Sequence, residues 1–371
     1  MPKKPGLHIV FDMTYPGRQR TGTTVYANEI VAALRANTSN RVTCLSAPDP
    51  VKKGGIWKIW NGLSTLIWIQ LVLPAKLLWL KADLLHAPSY FAPVLCPCPL
   101  VVTVHDMLYL TQPQHYKDKL FSLYSRLFIN GAVRRADVIC TVSAFSKKEI
   151  EFCYGISGDR IRVAYHGVNP RFQPQPEDRL ATVRAKYRLE RPYFLFVGAW
   201  EPRKNLPRLI RAFCSFCEDQ REDYELILVG PEMSGTAEVQ TILRNPETSR
   251  YVRALGFVAD EDMPPIYAAA EAFVLPSLGE GFGMPLIEAM ACGTPVIASR
   301  VTCFPEVVGD AAVLFDPEDP ADIVRAMRLI LRPDVHQDMK QKGLLRAQVF
   351  KWENAARETE KAYADAVKRN V

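Results

Sequence analysis

Short apolar segments alternate with longer amphipathic segments along nearly the whole chain, and this alternation limits the possible folds most. The apolar segments of the first half are almost uninterrupted, which is typical of strands buried on both faces of a sheet. Helical patterns such as Thr23–Ala36, Lys117–Arg135 and Ala144–Tyr154 lie between them. Strands that alternate with helices predict βαβ units and a parallel sheet. The predicted strands of this half are Leu7–Met13, Arg41–Ala47, Asp83–Ala87, Leu100–His105, Asp137–Val142 and Arg162–His166.

The alternation pauses once, in the middle of the chain. The segment from His166 to Asp178 contains three prolines and few apolar residues, so we interpret it as a linker. The pattern then resumes and finishes in a helical segment from Val349 to Lys368. The predicted strands of the second half are Tyr193–Gly198, Tyr224–Gly230, Ala272–Leu275, Pro295–Ser299 and Ala312–Phe315.

These patterns predict an α/β protein with two doubly wound, Rossmann-like domains in tandem. We expect an N-terminal domain over residues 1–170 and a C-terminal domain over residues 171–350. A terminal helix over residues 351–371 is expected to return to the N-terminal domain. Ligands of such sheets bind at the carboxyl ends of the strands, so the predicted site is a cleft between two facing sheets.

Charge is distributed unevenly between the two halves. Residues 1–185 hold 23 Lys and Arg against 12 Asp and Glu, a net charge of +11, whereas residues 186–371 hold 23 against 28, a net charge of −5. The basic half favours an anionic surface or substrate. The sequence has no RNP motif and no zinc-finger spacing, so nucleic acid is not an expected partner.

Cysteine usage and hydropathy indicate the compartment. The nine cysteines are scattered and odd in number, which does not resemble a disulfide framework. The N-terminus lacks a signal-peptide pattern, and no stretch reaches about 18 uninterrupted apolar residues. We therefore expect a cytoplasmic protein.

The segment Glu280-Gly-Phe-Gly-Met-Pro-Leu-Ile-Glu288, called here the two-glutamate segment, carries the strongest functional signal. It follows a predicted strand. Gly281 and Gly283 allow a ligand to approach the backbone closely, and Pro285 suits the first turn of a helix. Free amides and the positive end of the helix dipole would bind a diphosphate there. A carboxylate one turn inside, at Glu288, can accept hydrogen bonds from a ribose diol. The alternative is an ordinary surface loop before a capped helix.

The two-glutamate segment resembles the signature of the retaining GT-B glycosyltransferases of family 4, in which two glutamates are separated by seven residues. The resemblance implies that Glu280 contacts the donor sugar and that Glu288 binds the nucleotide ribose. It also implies that the intervening residues line the donor site. These residues are Gly281, Phe282, Gly283, Met284, Pro285 and Leu286.

A second segment, Val197–Leu206, contains the adjacent cations Arg203 and Lys204. An arginine and a lysine at a helix start can hold a diphosphate, and family 4 uses such a pair for the leaving diphosphate. Many members carry a further arginine directly after the glycine, where this chain has Ala199. A solvated basic helix start is the structural alternative.

The resemblance extends to the first half. His105 ends a predicted buried strand, where family members carry a histidine that binds the reacting sugar; a structural histidine is the alternative. The family has a glycine-rich turn before its first helix, and this chain keeps Gly22, followed by Thr23. Arg18 and Arg20 would face a ligand or remain solvated loop charges. In the second half, the segment Leu255–Val258 resembles the strand whose backbone reads the nucleobase, which places Val258 at the donor.

The resemblance implies transfer of a hexose from a nucleotide-diphosphate sugar with retention of configuration, and GDP-mannose is the first donor expected. No Asp-x-Asp motif or His/Asp cluster indicates a metal site, so neither metal nor another cofactor is expected. Ile56–Leu80 contains four tryptophans and two lysines, and three further lysines flank it. This composition favours a glycan or lipid-linked acceptor and contact with an anionic membrane. The alternative for this stretch is an apolar helix pair in the domain wall.

Two other functions stay open from the sequence. A sugar-nucleotide 2-epimerase of the same fold would need carboxylates that act as acid and base. A degenerate, non-catalytic sugar-nucleotide-binding protein is the other, and the reduced glycine turn at Gly22 together with Ala199 supports it. A dehydrogenase is not expected, because no GxGxxG follows an early strand.

Overall fold

The computed structural model describes residues 6–14, 22–49, 56–113, 128–220, 223–233 and 236–370. The chain forms two compact units. The N-terminal unit comprises Met1–Gly167 together with Trp352–Val371, and the C-terminal unit comprises Val168–Lys351.

The N-terminal unit contains a parallel sheet of six strands in the order β2-β1-β3-β4-β5-β6. The first five strands lie within the segments predicted from the sequence, and the last begins one residue before its predicted segment Arg162–His166. The prediction for the last strand was too long, because β6 pairs only with β5, whose last residue Thr141 is opposite Val163. The strands are β1 (His8–Asp12), β2 (Arg41–Leu45), β3 (Leu84–Ala87), β4 (Leu100–Val104), β5 (Val138–Thr141) and β6 (Ile161–Val163).

Helices cover both faces of this sheet. On one face, Val10 and Leu85 pack with Leu73 and Leu77. On the other face, their strand neighbours pack with the first and last helices of the chain. Alternate strand residues point to opposite faces, so each inner strand contributes to both cores. The described helices are α1 (Gly22–Asn37), α2 (Ile56–Ile67), α3 (Leu73–Leu80), α4 (Leu108–Thr111), α5 (Asn130–Arg135), α6 (Ala144–Tyr154) and the terminal helix Trp352–Arg369.

Two helical predictions are changed by the structure. The predicted helix Lys117–Arg135 lies partly outside the described residues, and α5 is its described end. The apolar stretch Ile56–Leu80 is one continuous helical run instead of a pair, because a π-helix, Trp68–Val72, joins α2 to α3. Leu73 N–H donates to the Trp68 carbonyl five residues earlier, and this wider turn precedes Pro74, which has no N–H to donate.

The terminal helix packs on the N-terminal unit through its small and aromatic residues. Trp352, Ala356 and Tyr363 share an apolar cluster with Tyr26 of α1. The Tyr363 hydroxyl lies 2.7 Å from His86 Nδ1. Residues after Trp352 are therefore part of the N-terminal core.

The C-terminal unit repeats the architecture with the strand order β12-β11-β10-β7-β8-β9. All of its strand pairs are parallel. The chain reverses its direction of winding between β7 and β10, which lie side by side. The strands are β7 (Tyr193–Val197), β8 (Glu225–Val229), β9 (Val252–Gly256), β10 (Ala272–Leu275), β11 (Val296–Ser299) and β12 (Ala312–Phe315).

Helices of the C-terminal unit follow the strands in turn. Helix α8 carries the Cys214 and Cys217 pair inside a regular helix. In chain order the helices are α7 (Glu177–Tyr187), α8 (Leu206–Gln220), α9 (Ala237–Leu243), α10 (Pro246–Ser249), α11 (Met263–Ala268), α12 (Met284–Ala291), α13 (Phe304–Val308), α14 (Pro320–Ile330) and α15 (Pro333–Ala347), and the terminal helix is α16.

Candidate active site

The reversal point between β7 and β10 is where an open α/β sheet offers a crevice for ligands. The loop after β7 carries Arg203 and Lys204, and the loop after β10 carries Glu280. Asn205 fixes the position of the loop after β7, because its Nδ2 donates to the carbonyls of Pro276 and Pro317 at 3.2 and 2.8 Å. The fold thus brings together two segments that are 76 residues apart in sequence.

Glu280 is the centre of an ion cluster. Its Oε1 accepts from Lys204 Nζ at 2.5 Å and from Ser277 Oγ at 3.1 Å, and Arg203 Nη1 lies 2.6 Å from the same oxygen. Arg203 also pairs with Glu201 at 2.8 Å. Burial raises the pKa of Glu280, but the two cations outweigh burial and lower that pKa to about 2. Glu280 is therefore ionised throughout the physiological range.

This arrangement differs in one respect from a simple cationic clamp. The two cations are joined by two carboxylates, those of Glu201 and Glu280, so the cluster has no net charge. Three contacts of the Glu280 side chain, from Lys204, Arg203 and Ser277, converge on Oε1.

Helix α12 begins directly beside this cluster. Its N-cap, Gly283, has a φ of 87°, and a Cβ there would lie 2.7 Å from the Phe304 ring. Only glycine fits this turn without strain. Pro285 lies in the first turn, as predicted, and no side chain of the described residues caps the helix. The amide of Met284 therefore has no intrahelical acceptor, and it adjoins the positive end of the helix dipole.

Glu288 lies one turn inside α12 and has a different environment. Its Oε2 accepts a hydrogen bond from the Tyr267 hydroxyl at 3.0 Å. Burial raises the pKa of Glu288 to about 7, against the opposing effects of Tyr267 and Arg171. Phe172, in the predicted linker, packs edge-on against the Tyr267 ring. The carboxylates of Glu280 and Glu288, with seven residues between them, thus differ widely in their affinity for a proton.

The strand predicted to contact the nucleobase ends earlier than expected. β9 ends at Gly256, whose φ is 66°, so Val258 lies in the loop after the strand instead of within it. Val258 is buried, whereas Phe257 before it is 71% exposed. The left-handed glycine turns the chain at this point and leaves an aromatic ring at the carboxyl edge of the sheet.

A cavity of about 300 Å³ adjoins the β7 loop on the side of α8 and α9. Trp200, Arg208 and Thr236 are among the residues that line it, and Glu280 and Lys204 are not. Glu201, which pairs with Arg203 in the ion cluster, does line it, so the cavity adjoins the cluster.

In the N-terminal unit, His105 follows β4 at the carboxyl edge, as predicted. Its Nε2 lies 2.8 Å from the Pro88 carbonyl, which can only accept a hydrogen bond. We therefore assign the proton to Nε2, which makes Nδ1 an acceptor. Burial lowers the pKa of His105 to about 4, so the ring is neutral at physiological pH. Tyr26 and His166 pack against the ring and fix its orientation.

The first loop is only partly described. Gly22 and Thr23 begin α1, and Arg18 and Arg20 lie outside the described residues. Asp106 accepts from the amide of Leu108 at 3.1 Å and so caps the loop after β4.

Two residues that contact the predicted glutamates were not predicted from the sequence. Ser277 binds Glu280, and Tyr267 binds Glu288. Ser277 had a weak signal, because it is a polar residue just after a buried strand. Tyr267 had none, because its contact with Glu288 depends on the packing of α11 against α12.

Comparison with known proteins identifies the family. Residues 20–172 match the family described as Glycosyltransferase Family 4, and residues 181–346 match Glycosyl transferases group 1. The O-antigen chain mannosyltransferase B of Escherichia coli is 35% identical over 301 residues, which cover 79% of this chain and 78% of that protein. The chain belongs to glycosyltransferase family 4. This glycosyltransferase assignment favours group transfer over the 2-epimerase and scaffold alternatives.

Solved structures show that the glycosyltransferase has the GT-B fold. Sucrose-phosphate synthase from Thermosynechococcus elongatus matches with a TM-score of 0.75 and 21% identity over 96% of this chain and 98% of that one. Anabaena HepE, in complex with UDP and glucose, matches with a TM-score of 0.76 and 20% identity over 96% of this chain and 99% of that one. The predicted fold class is confirmed.

Proposed function

We propose that this glycosyltransferase moves a mannosyl group from GDP-mannose to a glycan or lipid-linked acceptor, with retention of configuration and without a metal ion. The observation that carries the proposal is the ion cluster of Glu280, Arg203 and Lys204 at the β7–β10 reversal point. The sugar is inferred from the mannosyltransferase name of the Escherichia coli relative.

Each part of the donor sugar nucleotide has a proposed binding partner in the protein. Glu280 accepts a hydrogen bond from a hydroxyl of the donor sugar. Arg203 and Lys204, together with the amide of Met284, hold the diphosphate. Glu288 accepts from the ribose diol when it is ionised. The loop at Val258 and the segment from Gly281 to Leu286 enclose the nucleotide.

In the proposed reaction, the bond between the anomeric carbon and the diphosphate oxygen breaks. The acceptor hydroxyl oxygen forms the new bond on the same face, and its proton moves to the departing phosphate oxygen. Negative charge grows on the diphosphate as it leaves, and Arg203 and Lys204 stabilise that charge where a metal would otherwise act. Glu280 places both cations and holds the sugar at the same time.

His105 is proposed to orient the sugar. Its neutral Nδ1 accepts a hydrogen bond from a sugar hydroxyl and does not compete as a cation for the diphosphate. The hydrogen bond from Nε2 to Pro88 keeps the ring in this tautomer.

A cytoplasmic location is also proposed. All nine cysteines are free thiols, and the buried ones are Cys140, Cys217, Cys292 and Cys303. Free thiols are retained in reducing compartments, which supports this location.

Thermal stability with GDP, UDP, ADP and dTDP, measured in EDTA, tests the donor site. A nucleotide at about 100 times its Kd should add about 2.7 kcal/mol to the free energy of unfolding. We expect GDP to produce the shift and Glu288→Ala to abolish it. Glu318→Ala, at an exposed glutamate of the same unit, should keep it. A shift with UDP alone would refute the donor, and a shift that requires Mg²⁺ would refute metal independence.

Transfer itself is measured with GDP-[14C]mannose and purified acceptor lipid or glycan. Mass and anomeric NMR of the product establish the sugar and the retained configuration. An inverted product, or free mannose as the only product, contradicts the proposed reaction.

A further inference from the structure

The helical run Ile56–Leu80 exposes an apolar stripe along its length. The exposed fractions of the stripe residues rise from 49% at Leu63 to 80% at Trp79. They recur at intervals of three to four residues over α2 and the π-helix and return in α3, so they share one side of the run. The residues of this stripe, called the Trp60–Trp79 stripe, are Trp60, Leu63, Ile67, Leu71, Leu78 and Trp79.

The opposite side of the run is fixed to the protein. Leu73 and Leu77 belong to the core under the sheet, and Ile69 packs in a smaller buried cluster. The Gln70 amide donates to the Ala92 carbonyl at 3.2 Å and accepts from the Val94 amide at 3.0 Å. These contacts keep the helix on the surface of the N-terminal unit.

Length and composition alone would allow Trp60–Leu80 to cross a membrane. The packing argues for a different placement. A spanning helix would have to withdraw Leu73 and Leu77 from the sheet core, which would leave a cavity there. It would also place the Gln70 amide in hydrocarbon without its partners Ala92 and Val94. A helix lying along the surface keeps that core and still buries the stripe.

The charge around the stripe has one sign. Residues 50–82 contain no Asp or Glu. Lys81 is exposed at the end of α3, and the ammonium of Lys76 lies over the Trp68 ring at 5.6 Å. The five lysines of this stretch are Lys52, Lys53, Lys58, Lys76 and Lys81.

We infer that the Trp60–Trp79 stripe lies in the interface of an anionic membrane, with the helix parallel to its surface. The apolar side chains enter the acyl boundary, and tryptophans at both ends lie at the headgroup level. Among the described side chains, Lys76 and Lys81 extend to the lipid phosphates, each adding attraction to a negatively charged leaflet. This inference does not depend on the proposed donor.

Charge distinguishes this occupant from a second copy of the chain. A two-fold dimer would place the stripe against itself, because such an interface uses the same patch on both partners. The lysine-rich, acid-free segments would then face each other and repel. A membrane rich in anionic lipid offers the opposite charge.

Vesicle flotation of the full chain tests the inference. Vesicles of phosphatidylcholine with phosphatidylglycerol are compared with pure phosphatidylcholine at physiological salt. We expect binding to the anionic vesicles, and a loss of more than about tenfold in the partition coefficient for Leu71→Glu/Leu78→Glu. The matched control is Phe152→Glu, at a 90% exposed aromatic residue on α6 of the same unit. It should bind as the parent does.

Two further measurements distinguish lost membrane binding from other effects of the substitutions. The variant should keep its melting temperature and its GDP-induced shift, so that lost binding is not lost folding or a lost donor site. Trp79→Phe should diminish the blue shift of tryptophan emission on binding, while leaving partition within about twofold.

Several outcomes would overturn the inference. Binding of the Leu71/Leu78 variant equal to that of the parent would show that the stripe does not contact the membrane. Binding to neutral vesicles equal to that to anionic vesicles would show that the lysines do not contribute. Release from cell membranes only by detergent would indicate a spanning helix. A dimer in sedimentation that dissociates in the variant would assign the stripe to a second copy.

Discussion

At the carboxyl edges of the two sheets, one unit holds a buried charged group and the other holds buried neutral groups. In the C-terminal unit, Glu280 is held as an anion because two cations share its oxygen. In the N-terminal unit, burial lowers the pKa of His105 to about 4 and that of His86 to about 3, so both rings are neutral. A buried group keeps its charge only where a countercharge is buried beside it.

The difference separates two chemical tasks. The C-terminal edge can respond to a leaving group on which negative charge grows, because Arg203 and Lys204 are already placed there. The N-terminal edge offers neutral acceptors and donors, which suits sugar hydroxyls. Substitutions can therefore test the charged edge and the neutral edge separately.

Removing the charge of Glu280 should have the largest effect. In Glu280→Gln the two cations lose their shared anion, and the sugar loses an ionised acceptor. We expect kcat to fall by about 10²–10³-fold, measured by initial rates with saturating donor. Glu201→Gln is the control, because Glu201 contacts Arg203 at 2.8 Å. A comparable loss in that control would mean that the cluster acts only through its total charge.

Replacing Lys204 tests the cationic half of the same edge. Lys204 is buried and lies against Glu280, so Lys204→Met preserves its volume and removes its charge. We expect about a 10²-fold loss of kcat and weaker GDP binding by calorimetry. Lys204→Arg should recover part of the rate. An unchanged affinity for GDP would show that Lys204 does not contact the diphosphate.

At the N-terminal edge, His105→Ala should lower kcat/KM by about tenfold, the effect of one lost hydrogen bond to a polar group. Because the pKa of His105 is lowered to about 4, its titration should not shape the rate between about pH 5 and 8. The pH profile is therefore expected to keep its form in the variant. His336→Ala, in the other unit, serves as the matched control. A limb of the profile that disappears only in His105→Ala would indicate a proton-transferring role instead.

The smallest effect is expected from the titration of Glu288. Its pKa is raised to about 7 in the folded protein, above the unfolded value of about 4.3. The folded state thus binds more protons, so the free energy of unfolding should fall as pH rises from about 4.3 to 7. Donor KM should change the other way and decrease severalfold as pH rises through about 7, because the ionised carboxylate accepts from ribose.

Glu288→Gln should remove both pH dependences, which are measured by urea unfolding and by donor KM across this range. Glu318→Gln is the control. A pH-dependent KM that persists in Glu288→Gln would assign the titration to another group.

Much of this molecule was predictable from local patterns. Continuous apolar segments such as Ala272–Leu275 gave strands at the observed positions, because a strand buried on both faces has few alternatives. The start of α12 was predictable as well, since Gly283 and Pro285 restrict the backbone there. Boundaries that depend on a neighbour were not, as at β6, which stops where β5 stops.

The sequence by itself determined the two α/β units, the two-glutamate segment and the cations of the β7 loop, because backbone preference and charge are properties of the residues. Tertiary structure alone decided that Lys204 and Arg203 share one oxygen of Glu280 and that Tyr267 binds Glu288. The ionisation of each carboxylate depends on neighbours distant in sequence, as does the exposure of the Trp60–Trp79 stripe. Charge state and burial are set by what surrounds a group, and only the folded chain specifies those surroundings.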